Sequence, residues 1–402
     1  MRAMTTPIDY GLFDCDNHYY EPPEAFTRHL DKRLRRRAVN FVDLNGRASL
    51  LVAEKVSRFV PNPTFDPIAR PGTLYDYYRG NADGDVRAAF GDLDAIADHP
   101  EYRERDARLR VMDAQGVDGC FLFPTLGVGL EEALIGDPEA IHATFHALNE
   151  WVHDEWGFAH DERIFAAAVI SFADPDRAVA ELEWALERDV RMLCLRPAPA
   201  PTARGATLPS DPVFDRFWGL AAEAGVTIGY HSGDSGQAYI PHRWGAPDSH
   251  ESFGLTPLYL LLCADRPMFE TVCVLLTGGV MQRHPGLRFA SIESGSEWVP
   301  ALFKKAAKIY KQQPAAFGEH PHDTLRRQLF VSPHFEEDKR AVADLLGVDH
   351  VLMGSDWPHA EGLHQPADYA AELEVDGFDA GEQRRIMREN GLRLSRREPG
   401  AP

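Results

Sequence analysis

Asp14, Asp16 and His18 fall at alternate positions of a short apolar stretch near the start of the chain. The stretch is predicted to be a strand over residues 12–19, so these three side chains are expected to share one face. Ionisable groups on a buried face are costly unless something binds them. Carboxylate oxygens and imidazole nitrogens are common ligands of divalent metals. The spacing therefore indicates a metal site, and an edge strand with a solvated face is the alternative.

Polar residues also stand where later apolar runs stop. They are Thr125, Ser171, Arg196, His231, Glu293, His334 and Asp356. If the runs are parallel strands, their carboxyl ends meet at one mouth, where active sites of such sheets are built. A cluster of Asp16, His18, His231 and Asp356 would repel itself without a cation, so the pattern predicts that these four bind a metal.

Taken one at a time, the same residues have structural explanations. His231 could be a hydrogen-bonded core histidine, and Arg196 could pair with a surface acid. Asp356 could cap the segment that follows it, and Glu293 could cap the helix that starts near Trp298. The metal prediction therefore depends on the strands converging, because no single residue requires it.

The elements that must position these residues alternate along the chain. Strands are predicted at 12–19, 119–124, 164–170, 192–195, 226–230, 287–292, 328–332 and 350–355. Amphipathic helices are predicted at 103–115, 137–155, 176–188, 211–224, 269–284, 298–312 and 339–346. Eight alternating units predict an α/β fold, a (β/α)8 TIM barrel that forms one domain over residues 1–402.

Two stretches interrupt this alternation. Residues 30–100 lie between the first two strands and contain a predicted hairpin over 39–60 that turns at Asn45-Gly46. We interpret them as an inserted cap or subdomain. Residues 234–268 follow the fifth strand and are rich in Gly, Pro, His and aromatic residues. They are typical of a lid or substrate loop.

Composition restricts the partners and the compartment. The chain has 402 residues and a net charge of −20, which disfavours nucleic acid and anionic membranes as partners. Five widely spaced cysteines without a C-x-x-C motif indicate reduced thiols and a reducing compartment. No apolar signal core opens the sequence and no apolar run reaches a membrane span. We expect a cytoplasmic enzyme that acts on a small molecule.

The motifs together resemble the amidohydrolase-related family of metal-dependent barrels, whose members include aminocarboxymuconate-semialdehyde decarboxylase-like and resorcylate decarboxylase-like enzymes. The similarity runs from Asp14 to Leu394. The most specific piece is Gly354-Ser355-Asp356-Trp357-Pro358-His359. Supporting pieces are Asp14 to His18 with Glu21-Pro22, Leu122 to Thr125, His231-Ser232-Gly233, Gly278-Gly279-Val280, Glu293-Ser294-Gly295 and Asn390.

This resemblance implies roles for particular positions. The family's first-strand metal pair, usually His-x-His, corresponds to Asp16 and His18. The fifth-strand metal histidine corresponds to His231, and the eighth-strand aspartate, near the metal and carrying the proton, to Asp356. Glu293 stands where many members have a second histidine. Because no lysine suited to carbamylation stands on strand four, we expect one divalent ion, zinc or manganese.

Two reactions suit this set of residues. In a non-oxidative decarboxylation, Asp356 would protonate the carbon that bears the carboxylate, while Arg196 and the metal stabilise negative charge. Hydrolysis of an amide, lactone or ester would instead use Asp356 as a base. His334 and His359 are further acid or base candidates, and a non-catalytic ligand-binding barrel is the third alternative. The decarboxylase is the prediction that we favour.

Aromatic residues near the predicted mouth favour a planar or aromatic carboxylic acid as substrate. They are Tyr19, Tyr20, Trp244, Phe253 and Trp357, and each could equally be a packing residue. The resemblance also implies a homodimer, for which the aromatic segment 252–275 could supply the surface.

Overall fold

The parallel strands of this α/β protein form two hydrogen-bonded sets. The structure is a computed structural model that describes residues 8–57, 59–81, 86–247 and 256–398. One set orders Leu12–Tyr19, Val117–Pro124 and Ile164–Ala166. The other orders Leu329–Val331, Arg288–Ile292, Thr227–His231, Met192–Leu195 and Ala168–Val169. Only Ala167 separates the strands through which the two sets meet, and its N–H donates to the carbonyl of Leu122 at 2.9 Å.

The predicted eighth strand, 350–355, does not form a regular strand. Its segment makes a single bridge from Val351 to Val331, and the amide of Leu352 donates to Val331 at 2.8 Å. On its other side, the amide of Cys15 donates to Met353 at 2.8 Å. Asp356 adopts a left-handed φ of 55°, which interrupts regular pairing. The segment is therefore hydrogen-bonded to both the last and the first strand without forming a ladder with either.

Helices lie between the strands, as the sequence predicts. Asp137 accepts a hydrogen bond from the amide of Ala140, and Asp338 accepts one from Ala341, which fixes two helix starts. The helix predicted over 269–284 is instead two helices, because Gly279 has a φ of 79°. The α-helices are Tyr75–Tyr78, Val86–Ala89, Arg105–Gln115, Glu131–Leu134, Pro138–Glu155, Pro175–Leu186, Asp215–Ala224, Tyr239–His242, Pro257–Cys263, Arg266–Thr277, Val280–Arg283, Trp298–Gln312, Pro321–Gln328, Lys339–Leu346, Tyr369–Val375, Ala380–Arg384 and Asn390–Leu394.

The predicted hairpin is present. Val39–Leu44 pairs antiparallel with Arg47–Val52. Asn45 and Gly46 turn the chain with φ values of 59° and 81°, the left-handed geometry that favours this residue pair. Three further short strand pairs are Arg47–Val52 with Lys55–Val56, Ile68–Ala69 with Leu93–Asp94, and Ala200–Thr202 with Gly205–Thr207.

One large hydrophobic core joins the inner strand faces to the surrounding helices. Its largest fully buried side chains include Trp151, Trp156, Trp218, Phe121 and Phe123. All five cysteines are free thiols. Across the described residues, no helix combines the length and the apolar character that spanning a membrane requires.

Candidate metal centre

Four ligand atoms converge where three strands end. Asp16 and His18 lie on Leu12–Tyr19, His231 ends Thr227–His231, and Glu293 follows Arg288–Ile292. His18 Nε2 lies 3.3 Å from Asp16 Oδ1, 3.6 Å from Glu293 Oε2 and 3.2 Å from His231 Nε2. His231 Nε2 lies 3.5 Å from Asp16 Oδ1 and 3.1 Å from Glu293 Oε2. These atoms form a compact group that could hold a metal ion.

The spacing of this group matches a tetrahedral metal site. Four ligands at about 2.0–2.1 Å from one ion stand roughly 3.3 Å from one another. The five separations lie between 3.1 and 3.6 Å. Two carboxylates and two imidazoles are a donor set that zinc and manganese both accept. The residues present therefore fit a divalent cation without rearrangement.

Two features of hydrogen bonding also suit a cation. Asp16 Oδ1 is buried and accepts no hydrogen bond from any described residue. His231 Nδ1 lies 2.7 Å from the carbonyl of Ser232, to which it can donate. That bond leaves a lone pair on Nε2 aimed at the group, the usual arrangement of a metal-binding histidine.

The carboxylates and imidazoles of the group shift one another's pKa values. Burial opposes the charge on Asp16, but contacts with His18 and His231 lower the pKa of its carboxyl. Burial would lower the pKa of His18, yet the acids Asp16 and Glu293 raise it to about 10. A protonated imidazole cannot bind a metal, so binding here would release a proton.

Asp356 and His359 form a second group beside the first. Asp356 Oδ1 lies 3.5 Å from His18 Nε2 and 2.6 Å from His359 Nδ1. The His359 ring stacks on His18 with centroids 4.1 Å apart. Burial and the charges of Glu293 and Glu361 raise the pKa of Asp356 well above its usual range. Asp356 is therefore a carboxyl group with a raised proton affinity next to the four ligand atoms.

Left-handed backbone places both carboxylates that follow strand ends. Glu293 has a φ of 48° and Asp356 a φ of 55°. Residues other than glycine rarely adopt this region, and such strain concentrates at functional sites. The turn takes each side chain out of the strand's alternation and toward the group.

The backbone behind the ligands is held by buried polar residues. Asp14 accepts hydrogen bonds from the amide and hydroxyl of Ser355, at 2.9 and 2.5 Å, and from Asn17 at 2.9 Å. The expectation that Asp14 shares the face of Asp16 and His18 is therefore wrong. The ladder of the first strand shifts register between Asp14 and Asn17, which breaks simple alternation.

Arg108 supports the same strand from a helix. Its guanidinium is fully buried, donates to the carbonyl of His18 at 2.7 Å and to that of Glu101 at 2.8 Å, and also bonds Asn17 Oδ1. It lies over the ring of Trp357 at 4.5 Å. Because it bonds the main chain of His18, Arg108 positions a metal-ligand candidate without touching the site.

Two of the predicted site residues lie outside both groups. Arg196 Nε lies 2.8 Å from Glu131 Oε2, and its Nη1 lies 2.6 Å from Glu132 Oε2. A cavity nevertheless has Arg196 and His231 in its lining. The amide of His334 donates to a carboxylate oxygen of Glu337 at 2.9 Å. Burial opposes a positive charge on the His334 imidazole, but the acids Glu337 and Glu336 raise its pKa.

Sequence reasoning missed other functional candidates. Glu361 was not predicted, although burial and the charge of Glu293 raise its pKa to about 7. Glu131, which pairs with Arg196, was also missed. Glu361 lies five residues after Asp356, and that proximity was the available signal. Glu131 begins the short helix Glu131–Leu134, away from any predicted strand end that could have marked it.

The aromatic residues expected at the mouth lie in different surroundings. Tyr19 and Trp357 are buried packing residues, against Trp156 and Arg108 respectively. The ring of Tyr20 lies 5.5 Å from that of His359. Trp244 is 79% exposed, and Phe253 lies outside the described residues.

Comparisons with known proteins show the family of the chain. The amidohydrolase family model matches residues 13–397. An amidohydrolase from Mycobacterium avium subsp. paratuberculosis K-10 has a similar structure, with a TM-score of 0.93, 42% identity, and coverage of 98% of this chain and 100% of that one. The comparison with curated proteins found no match.

More distant solved structures share the fold. A dihydroxybenzoic acid decarboxylase from Polaromonas sp. JS666, with bound manganese and the inhibitor 2-nitroresorcinol, has a TM-score of 0.54 and 17% identity, covering 82% of this chain and 95% of that one. A 4-oxalomesaconate hydratase from Rhodopseudomonas palustris has a TM-score of 0.55 and 15% identity, covering 96% and 95%. At these identities the likeness is one of fold alone.

Proposed function

Because this chain belongs to the amidohydrolase family, whose members are generally metal-dependent enzymes, we propose that it is a metal-dependent carboxy-lyase. Its substrate would be a small aromatic or unsaturated carboxylic acid. The observation that carries the proposal is the tetrahedral spacing of Asp16, His18, His231 and Glu293, with Asp356 beside them at 3.5 Å from His18 Nε2. A manganese-containing decarboxylase and a hydratase share the fold, so the fold alone does not choose the reaction.

The proposed cofactor is one divalent ion, zinc or manganese. Asp16, His18, His231 and Glu293 would hold it, with Asp356 as the nearest further carboxylate. Bound there, the ion would supply positive charge for a substrate carboxylate and an adjacent oxygen. The predicted ligand set contained Asp356, and the geometry favours Glu293 in its place among the four nearest atoms.

The residues of the chain carry the rest of the proposed reaction. Asp356 gives its proton to the carbon that bears the carboxylate, the bond between that carbon and the carboxylate breaks, and CO2 leaves. Asp356 then regains a proton from water. A raised pKa suits a carboxyl group that gives or takes a proton during turnover, which both the decarboxylation and the hydrolysis require of Asp356. The decarboxylase is the reaction that we favour, and the hydrolase is the alternative.

Arg196 and His334 keep their predicted roles as proposals. Arg196 lines the cavity that reaches His231, so it can face a bound substrate while Glu131 and Glu132 balance its charge. The charge of Glu293 contributes to the raised pKa of the His334 imidazole, and this supports a role for His334 near the same centre.

We also propose that the strands close a (β/α)8 barrel with a cap. The amide of Leu352 donates to the carbonyl of Val331, and the amide of His18 donates to the carbonyl of Trp357, both at 2.8 Å. These bonds join the last strand to the first through the segment 351–357. The amide of Leu74 donates to Ala360 at 2.9 Å, so the inserted residues contact the loop that follows Asp356. This supports residues 30–100 as a cap. Residues 234–268 remain a proposed lid, part of which lies outside the described residues.

The experiment is a substrate panel with the metal-loaded protein. Hydroxybenzoic acids and unsaturated dicarboxylic acids would be assayed for CO2 release, and amides, lactones and esters for hydrolysis. We expect CO2 from at least one acid, none with Asp356→Asn, and unchanged release with the control Asp344→Asn on an exposed helix position. Cleavage of amides or lactones without any CO2 would refute the carboxy-lyase and establish the hydrolase.

A further inference from the structure

Two cavities lie next to each other beside the fifth parallel strand, Thr227–His231. The inner cavity has His231 in its lining, and the outer cavity has Tyr230, the residue before it. Four residues line both cavities: Glu131, Ile170, Leu195 and Arg196. Because the two cavities share this boundary, they can act as one pocket.

The outer cavity reaches the protein surface. Its lining includes Ala198, which is half-buried, and Pro199, which is exposed. At the other end, His231 is only 2% exposed. The two cavities together therefore lead from a buried metal-ligand candidate to the surface.

The charged groups at the boundary neutralise each other. Arg196 Nε lies 2.8 Å from Glu131 Oε2, and Arg196 Nη1 lies 2.6 Å from Glu132 Oε2. The other described residues in the two linings, apart from His231, carry no charge at neutral pH. An anion would find no unpaired cation in this pocket, so the pocket suits an uncharged molecule.

The rest of the pocket has mostly apolar walls and one unpaired polar group. Tyr230 is 1% exposed, and its buried hydroxyl makes no hydrogen bond to any described residue. Buried hydroxyl groups normally have a partner. A ligand with an apolar body and an oxygen that accepts a hydrogen bond would satisfy both features. The apolar walls include Val128, Phe145 and Val169 in the inner cavity, and Phe172 and Pro209 in the outer one.

We propose that the two cavities form a side pocket that binds CO2 as it leaves the metal centre. CO2 is small, uncharged and apolar, and its oxygen can accept a hydrogen bond from the Tyr230 hydroxyl. The acid substrate is an anion and does not fit these surroundings. The identity of the ligand as CO2 rests on the proposed function, whereas a pocket for a small uncharged molecule does not.

The first test uses CO2 itself. Crystals of the full-length protein are cooled under CO2 pressure and compared with crystals cooled under helium. We expect CO2 in the outer cavity, with one oxygen within hydrogen-bond distance of Tyr230 Oη. Water alone beside Tyr230, or CO2 only outside the two cavities, would overturn the proposal.

Two tryptophan variants locate the pocket. Ala198→Trp places an indole ring in the outer cavity at a half-buried position, and this variant should lose the bound CO2. The matched control is Ala203→Trp, because Ala203 is exposed in the turn that follows Ala200–Thr202 and is not among the lining residues. The control should keep the CO2. Retention in Ala198→Trp, or an equal loss in Ala203→Trp, would contradict the assignment.

Kinetics in solution test whether the pocket serves turnover. The reaction is run in reverse, with CO2 and the decarboxylated product as substrates of the metal-loaded enzyme. In Ala198→Trp the KM for CO2 should rise about tenfold, which corresponds to about 1.4 kcal/mol, while the KM for the other substrate stays at its wild-type value. A KM for CO2 that equals the wild-type value would mean binding at crystal concentration only, and would overturn the proposal.

Xenon separates a failure of the pocket from a failure of the proposed reaction. Xenon enters apolar cavities whatever reaction the enzyme catalyses. If crystals under xenon show it in these cavities but no acid releases CO2, the reaction and the choice of CO2 as ligand are wrong and the pocket remains. If CO2 is released but xenon enters neither cavity, the pocket is wrong and the reaction remains.

Discussion

Replacing Arg108 by lysine tests how the first strand is held in position. The guanidinium makes three hydrogen bonds, to His18, Glu101 and Asn17, and lies over Trp357. Lysine keeps the buried charge but lacks the planar fork, so about two of the three bonds are lost. At about 1.5 kcal/mol for each bond from a charged donor, the variant loses roughly 3 kcal/mol of unfolding free energy.

That loss can be converted into measured quantities. With an unfolding entropy of about 2.1 cal/mol/K per residue, a chain of 402 residues has roughly 0.8 kcal/mol/K, so the Tm falls by about 4 °C. Because His18 is no longer fixed through its carbonyl, metal affinity should fall by about 10- to 100-fold. Calorimetry and competition with a chromogenic chelator measure the two effects.

Arg110→Lys is the matched control, because Arg110 lies on the same helix, Arg105–Gln115, and is exposed. Its Tm and metal affinity should stay at wild-type values, within about 0.5 kcal/mol. If Arg108→Lys behaves like Arg110→Lys in both assays, the buried guanidinium does not position the centre and the reasoning is wrong.

Three further predictions concern the proton, pH and the metal. Asp356→Asn should abolish turnover but keep the fold and the metal held by Asp16, His18, His231 and Glu293. A variant that retains turnover would exclude Asp356 as the proton donor. Burial lowers the pKa of His142 to about 4, and its Nε2 accepts from the amide of Asp174 at 3.1 Å. The contribution of neutral His142 to the free energy of unfolding should therefore be fully present above pH 6.5. It should decline by about 3 kcal/mol as the pH falls to 4. In His142→Gln, whose amide oxygen can still accept that bond, this contribution should disappear from a pH series of urea unfolding curves, and an unchanged slope would contradict the assignment. Chelation should lower the Tm, because Asp16 and Glu293 lose their cation, and a Tm equal to that of the loaded protein would mean that no ion binds the native state.

Much of the fold could be predicted because apolar runs and helix signals are local. The strands Leu12–Tyr19 and Met192–Leu195 and the helix Trp298–Gln312 have the predicted bounds. The prediction of a strand over 350–355 was wrong, because the left-handed backbone at Asp356 depends on residues that are near in space and distant in sequence. The break at Gly278-Gly279 had a visible signal, since paired glycines interrupt helices.

The site was predictable to the extent that strand ends converge. Asp16, His18 and His231 come together as predicted. Two facts could not be read from spacing. One is that Glu293 joins the group of Asp16, His18 and His231, with its Oε2 3.1 Å from His231 Nε2. The other is the contact of His359 with Asp356, which depends on Thr125 from a different strand end.

The most direct test of the metal centre is an anomalous diffraction map of crystals soaked in one equivalent of zinc, recorded above and below the zinc absorption edge. We expect a peak about 2.0–2.2 Å from Asp16 Oδ1, His18 Nε2, His231 Nε2 and Glu293 Oε2, and its loss in His231→Asn. A peak at another place in the protein, or a peak that persists in His231→Asn, would contradict the centre and with it the proposed reaction.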